Sequence, residues 1–234
     1  CSLLLLLLHT PISAQSDYLT AENSVDGDHF SLAGALDLFK TASSPEQFES
    51  LLNTTDNEVN NLDLNEDGQV DYIRVEDHQE GDVHAIVLQV AMSESEVQDV
   101  AVIEIEKTGT ETAMLQILGD ENLYGETTIV EPYEVSTSTS PTGQGGPAAE
   151  LIARRIVVNV WGGTPVRFIY RPTYRAYVSP YRWRTYPRAY RPWAPRPFNT
   201  FRAAIVPRPH IRVVNTHRGV RAPQVYTPRR RSAV

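Results

Sequence analysis

Apolar positions recur along the first part of the chain in two periods. Leu32, Ala35, Leu36 and Phe39 fall at i, i+3, i+4 and i+7, one face of a short helix. Ser44, Pro45 and Gln47 predict a second helix start: an N-cap hydroxyl, a proline at the first helical position and the glutamine of a capping box. Its buried stripe is Phe48, Leu51 and Leu52. Both helices are too short to be stable alone and must pack on something. From Val70 the period drops to two, which predicts strands over Val70–Asp77, Val83–Met92, Gln98–Lys107, Thr112–Leu118 and Thr127–Glu131. Ala101, Ile103 and Ile105 alternate with Val102, Glu104 and Glu106, as in a sheet with one wet face, whereas Val83–Met92 is apolar on both faces and reads as central. Short Gly-bearing turns between successive runs predict an antiparallel meander. The fold class is therefore α+β, two short helices on a sheet of four to five strands, over residues 30–134.

The pattern fails beyond this unit. Residues 135–147 are rich in Ser, Thr, Gly and Pro and read as a linker, and residues 148–160 fit a short helix or a strand equally well. Residues 161–234 are dense in Arg, Tyr and Pro, and proline at this density breaks helices and central strands. The expected structure there is a low-complexity, largely irregular and disordered tail. At the other end, Leu3 to Leu8 followed by Pro11 and Ala14 have the form of a secretory signal peptide over residues 1–14, its start lying upstream of Cys1, with residues 15–29 as a flexible mature N-terminus. The expected location is outside the cytoplasm: periplasmic, outer-membrane-associated or extracellular.

Composition sharpens this picture in one respect. The 234 residues carry 29 acids and 21 basic residues, a formal charge of −8. All 29 acids lie in residues 1–150 with only Lys40, Arg74 and Lys107 against them, and the other 18 basic residues, all arginine, lie after residue 150. A block of −26 is followed by one of +18. No run approaches the roughly 18 apolar residues of a spanning helix, and one cysteine excludes a disulfide scaffold or a multi-cysteine zinc site.

The sharpest chemical motif is Asp63-Leu64-Asn65-Glu66-Asp67-Gly68-Gln69-Val70-Asp71. Calcium takes six to eight hard oxygens, which a tight loop offers from alternate positions. Asp63, Asn65 and Asp67 would supply side-chain oxygens, Gln69 its carbonyl, and Asp71 a direct or water-bridged carboxylate, with Gly68 permitting the turn. A metal-free Asx-rich turn is the bland alternative. The nine residues resemble the loops of EF-hands, dockerins and integrin-type propeller repeats, departing from the EF-hand where Arg74 replaces its bidentate glutamate. That resemblance implies a structural Ca2+ at Asp63, Asn65, Asp67, Gln69 and Asp71. Asn61 to Val75, with the helical pair before it, also resembles a group of uncharacterised exported bacterial proteins pairing an acidic calcium-loop domain with an Arg/Tyr/Pro-rich C-terminal region; this implies architecture and no activity.

Arginine interleaved with rings offers a bidentate donor and a stacking face together. Export disfavours nucleic acid. The expected partners are envelope polyanions, namely lipopolysaccharide, anionic lipid or acidic glycan, or the protein's own acidic domain. No nucleophile elbow, zincin, P-loop or dinucleotide fingerprint occurs, so the reading is a non-enzymatic envelope protein. The alternative is an exported hydrolase whose site lies near the hairpin carrying His78 and His84, with Asp77, Glu80 and Asp82 beside them.

Overall fold

The computed structural model describes residues 25–139 and 151–234, with backbone alone for 137–139 and 151–156. The expected signal peptide (1–14) and residues 140–150 lie outside the described residues. Residues 25–29, expected to be flexible, instead form a 3-10 turn over Asp26–His29 that buries Gly27.

Helix α1 spans Leu32–Thr41, capped by the Ser31 side chain accepting from Gly34 N, and α2 spans Pro45–Leu52. The Ser44 side chain accepts from Gln47 N as expected. The glutamine does not reach back to Ser44, however; its Oε1 accepts from the backbone and hydroxyl of Ser43. Phe39 and Phe48 lock the two helices in an edge-to-face contact at 5.2 Å.

The strands are β1 (Ile73–Glu80), β2 (Val83–Ala91), β3 (Val97–Gly109), β4 (Thr112–Gly119), β5 (Ile129–Thr139), β6 (Leu151–Val157) and β7 (Ile211–Val214). The first six form an antiparallel sheet in sequence order, and β7 pairs with β5. The α+β reading holds, but the sheet is larger than four to five strands. The first five residues of the expected linker, 135–139, continue β5, and the ambiguous segment 148–160 contains strand β6. A β-rich run such as Ile156-Val157-Val158 becomes a strand once an unpaired partner lies beside it, and the register Tyr133↔Val157 to Thr139↔Leu151 supplies one.

The largest departure is the C-terminal region, which is ordered over the sheet. Short helices α4 (Thr164–Ile169), α5 (Phe198–Ala204) and α6 (Ala222–Tyr226) punctuate it, α3 (Glu121–Tyr124) lying earlier in the β4–β5 connection. Few of its residues are in regular elements, as its prolines require, yet irregular backbone is still fixed when its side chains have somewhere to go. Val160, Val166 and Ile169 join the main core with Phe39, Phe48, Ile86, Ile103 and Ile105. Ala222 and Val225 pack on Val83, Ala85, Val87 and Val102 from the other side. That second cover explains why β2 is apolar on both faces and why every residue from Val83 to Val90 is buried. It also corrects the wet face: Glu104 and Glu106 are buried.

Candidate functional site

The alternation of β3 places Glu104 and Glu106 on the sheet face away from α1 and α2, and pairing with β4 and β2 brings Gln116 and Gln89 to the same face. Asp99 and Glu131 complete the set; Asp99 and Glu131 are fully buried. Carboxylates removed from water need bonded partners, or they become protonated. Here most of the partners come from residues 212–234. Glu131 accepts from Arg212 Nη2 at 2.8 Å, Arg218 Nε at 2.8 Å and Gln116 Nε2 at 2.9 Å. Burial alone would raise its pKa, but these bonds outweigh that and hold it below the usual range. Asp120 receives a two-point clamp from Arg230, Nε at 2.6 Å and Nη2 at 2.9 Å. Glu106 Oε1 caps α6, accepting from the backbone of Arg221 and Ala222 at 2.7 and 2.8 Å, and Glu104 meets His217 Nε2 at 2.6 Å.

Asp99 differs because no guanidinium among the described residues reaches it. It accepts from Arg231 N at 2.9 Å, Gln89 Nε2 at 3.0 Å and Tyr226 Oη at 3.2 Å. Those neutral donors do not offset burial, which pushes it up to about 6. On the opposite sheet face Glu49 is likewise raised by burial. It stands at the centre of a polar knot, accepting from Tyr72, Val75 N, Ser179 and Tyr177.

The tail's arginines are therefore divided. Arg196, Arg208, Arg212, Arg218, Arg221, Arg229 and Arg230 form ion pairs with carboxylates of the acidic block. Those of residues 171–191 form none among the described residues. Sequence reasoning missed the buried carboxylates because alternation assigns Glu104 and Glu106 to solvent. The available signal was the charge segregation itself, 18 arginines without a local acid.

The expected calcium loop folds as a tight turn at the entrance to the sheet. Gly68 has φ +79° and Glu66 φ +57°. Asp63 accepts from Asp67 N and Gly68 N at 3.0 Å each, Asn65 Oδ1 from Asp67 N at 2.9 Å, and Asp67 Oδ1 from Gln69 N at 3.0 Å. Asp71 Oδ2 accepts from Leu64 N at 2.6 Å, and burial followed by the charges of Asp63 and Asp67 pushes its carboxyl up to about 7. Placed this way the carboxylates turn onto the loop's own amides. Among the described residues no three His, Cys, Asp or Glu side chains converge to hold an ion. The donor set nonetheless fits a hard cation in type, being oxygen throughout, and no ion pair reaches Asp63, Asp67 or Asp71 among the described residues. A cavity of about 260 Å³ beside Asp67, Gln69 and Asp71 is walled by Arg184, Tyr186 and Tyr190.

The hairpin is not the shared site the spacing suggested. The turn is two residues, Gly81-Asp82, with Glu80 opposite Val83, so His78 pairs with Ala85 and His84 with Gln79. An even offset would have put the two histidines on one face; this register puts them on opposite faces. His78 stands 3.7 Å from Glu76. His84, fully buried, bonds Asp77 Oδ2 at 2.8 Å, and Tyr174 Oη donates to the same oxygen at 2.8 Å. Glu80 instead faces Arg229. No described helix is long and apolar enough to cross a membrane. Comparison of the chain with family models, curated proteins and solved structures found no match.

Proposed function

We propose that this is an exported, non-enzymatic cell-envelope protein whose arginine-rich C-terminal region binds its own acidic domain and, through its remaining cations, envelope polyanions. In this reading calcium braces the loop at Asp63, Asn65, Asp67, Gln69 and Asp71, neutralising carboxylates that the arginines leave alone. The observation that carries the proposal is the layer of buried carboxylates, Asp120 and Glu131 above all, each held by guanidinium groups more than 80 residues away in sequence. An arginine strap that served only to tether a flexible tail would need no buried acid opposite it.

The test is limited proteolysis with trypsin in low and in high salt. Arg212→Gln with Arg218→Gln should open residues 205–234 to cleavage, and Arg230→Gln should do so at the C-terminal end. If the region stays as protected as in the unaltered protein, the strap reading is wrong. Calcium is tested separately, by thermal unfolding with chelator against millimolar calcium.

A further inference from the structure

Residues 171–191 carry six arginines, Arg171, Arg175, Arg182, Arg184, Arg188 and Arg191, all exposed and none in an ion pair among the described residues. The chain that bears them is fixed along one edge of the sheet. Asp77 N donates to Tyr177 O at 2.7 Å, Ser179 N to Val75 O at 2.9 Å, Val178 bridges Glu76, and Val70 N donates to Trp193 O at 2.8 Å. The segment thus starts beside Asp77 and ends beside Val70, with a tight turn at Arg182–Thr185 between them.

Its tyrosines point the other way. Tyr181, Tyr186 and Tyr190 gather round Tyr72 with ring centroids at 5.6, 5.5 and 4.9 Å, and Tyr174 reaches Asp77. The Tyr-Arg dipeptides are therefore a device for two faces: the ring anchors inward and the next residue's guanidinium is left outside.

We infer that this row of outward arginines is a docking surface for the phosphate headgroups of an anionic lipid surface. The inference rests on the polyanion reading above and specifies its site and partner. Two observations select lipid. Most of the rings that a sugar or a base would stack on are engaged: Tyr181, Tyr186 and Tyr190 pack on the Tyr72 hub, leaving Tyr186 36% exposed, Arg184 covers Trp183 at 4.3 Å, and Arg171 covers Phe168 at 4.9 Å. What remains outward is guanidinium, the geometry that matches phosphate, together with Val178, 56% exposed, as an apolar contact of the kind tolerated at a membrane interface. Carboxylates flank the row without pairing to its six arginines among the described residues: Glu49 bonds Tyr177 and Ser179, Asp77 bonds Tyr174, Glu76 bridges Val178, and Asp67 and Asp71 share a cavity with Arg184.

The experiment is flotation of the full chain with vesicles of phosphatidylcholine mixed with phosphatidylglycerol, against pure phosphatidylcholine vesicles, at low and at physiological ionic strength. Binding should require the anionic lipid and weaken with salt. Each arginine near such a surface contributes about fivefold, so Arg171→Gln/Arg182→Gln/Arg188→Gln should lower binding on the order of 100-fold. A control losing the same charge elsewhere, Lys40→Gln/Lys107→Gln/Arg202→Gln, should lose only a few-fold. Circular dichroism during thermal unfolding establishes that both variants fold; should the first one not fold, Arg188→Gln alone is read for its fivefold loss. Equal losses in the two variants, no binding to anionic vesicles, or binding to polygalacturonate but not to vesicles would each overturn the inference. The trypsin experiment on Arg212 and Arg218 is independent of these residues, so a failure here with the strap intact sinks the lipid surface alone.

Discussion

Removing both Arg212 and Arg218 is the most decisive perturbation of the ion-pair layer. Glu131 has no exposed side-chain surface, whereas the two guanidinium groups are 25% and 34% exposed. Loss of one arginine leaves the other with Gln116, so Arg218→Gln alone should cost about 1.5–3 kcal/mol, the range for a hydrogen bond to a charged group. Loss of both strands a buried carboxylate, for which about 3–5 kcal/mol is the ordinary cost. In a chain of this size that lowers the melting temperature by about 6–20 °C. The pH dependence gives the stricter check. With both arginines present the folded pKa of Glu131 is depressed, so its contribution is present above the unfolded value of about 4.3 and is lost as pH falls through the folded pKa. Without them burial dominates and the folded pKa rises, so the penalty is large at neutral pH and fades as Glu131 protonates in acid. Urea unfolding of both proteins from pH 4 to pH 8 measures this, and adding Glu131→Gln to the double variant should recover most of the loss. A double-variant cost below about 1 kcal/mol, or one that does not change with pH, would refute the reasoning.

Four further outcomes follow from the same geometry. Asp99 has a folded pKa of about 6 against about 3.9 unfolded, so stability should fall as pH rises through that window, by about 2–3 kcal/mol in order of magnitude; Asp99→Asn should flatten this slope in denaturant titrations. Calcium at tenfold its dissociation constant should stabilise the protein by about 1.4 kcal/mol, and Asp63→Asn should abolish the shift seen by scanning calorimetry. Gly119→Ala places a Cβ 2.6 Å from the Tyr124 ring and should cost about 1–3 kcal/mol in urea unfolding, with overpacking as the cause. Residues 25–139 expressed alone should show no cooperative thermal transition, because Val160, Val166 and Ile169 leave the core and Asp99, Asp120 and Glu131 lose their partners; a sharp transition in that fragment would contradict the view that the C-terminal region completes the fold.

What could be read from the chain was whatever depends on neighbours a few residues apart. The faces of α1 and α2, the cap at Ser44, the period-two runs and the tight Asp63–Asp71 turn are local matters of rotamer, capping and backbone reach, and the sequence determined them by itself. The doubly apolar β2 marked a central strand, and the second cover packed on it appeared only in the structure. The His78–His84 relation was lost to a single register choice, since a turn of two residues instead of five changes which side chains share a face. The C-terminal region could not be read at all by period, because a proline-rich chain held by ion pairs has none. Its order depends on carboxylates such as Glu131 and Asp120 that lie more than 80 residues away. Long-range charge pairing leaves no periodic trace in either partner: only the tertiary structure could decide which arginines face buried acids and which are turned to the outside.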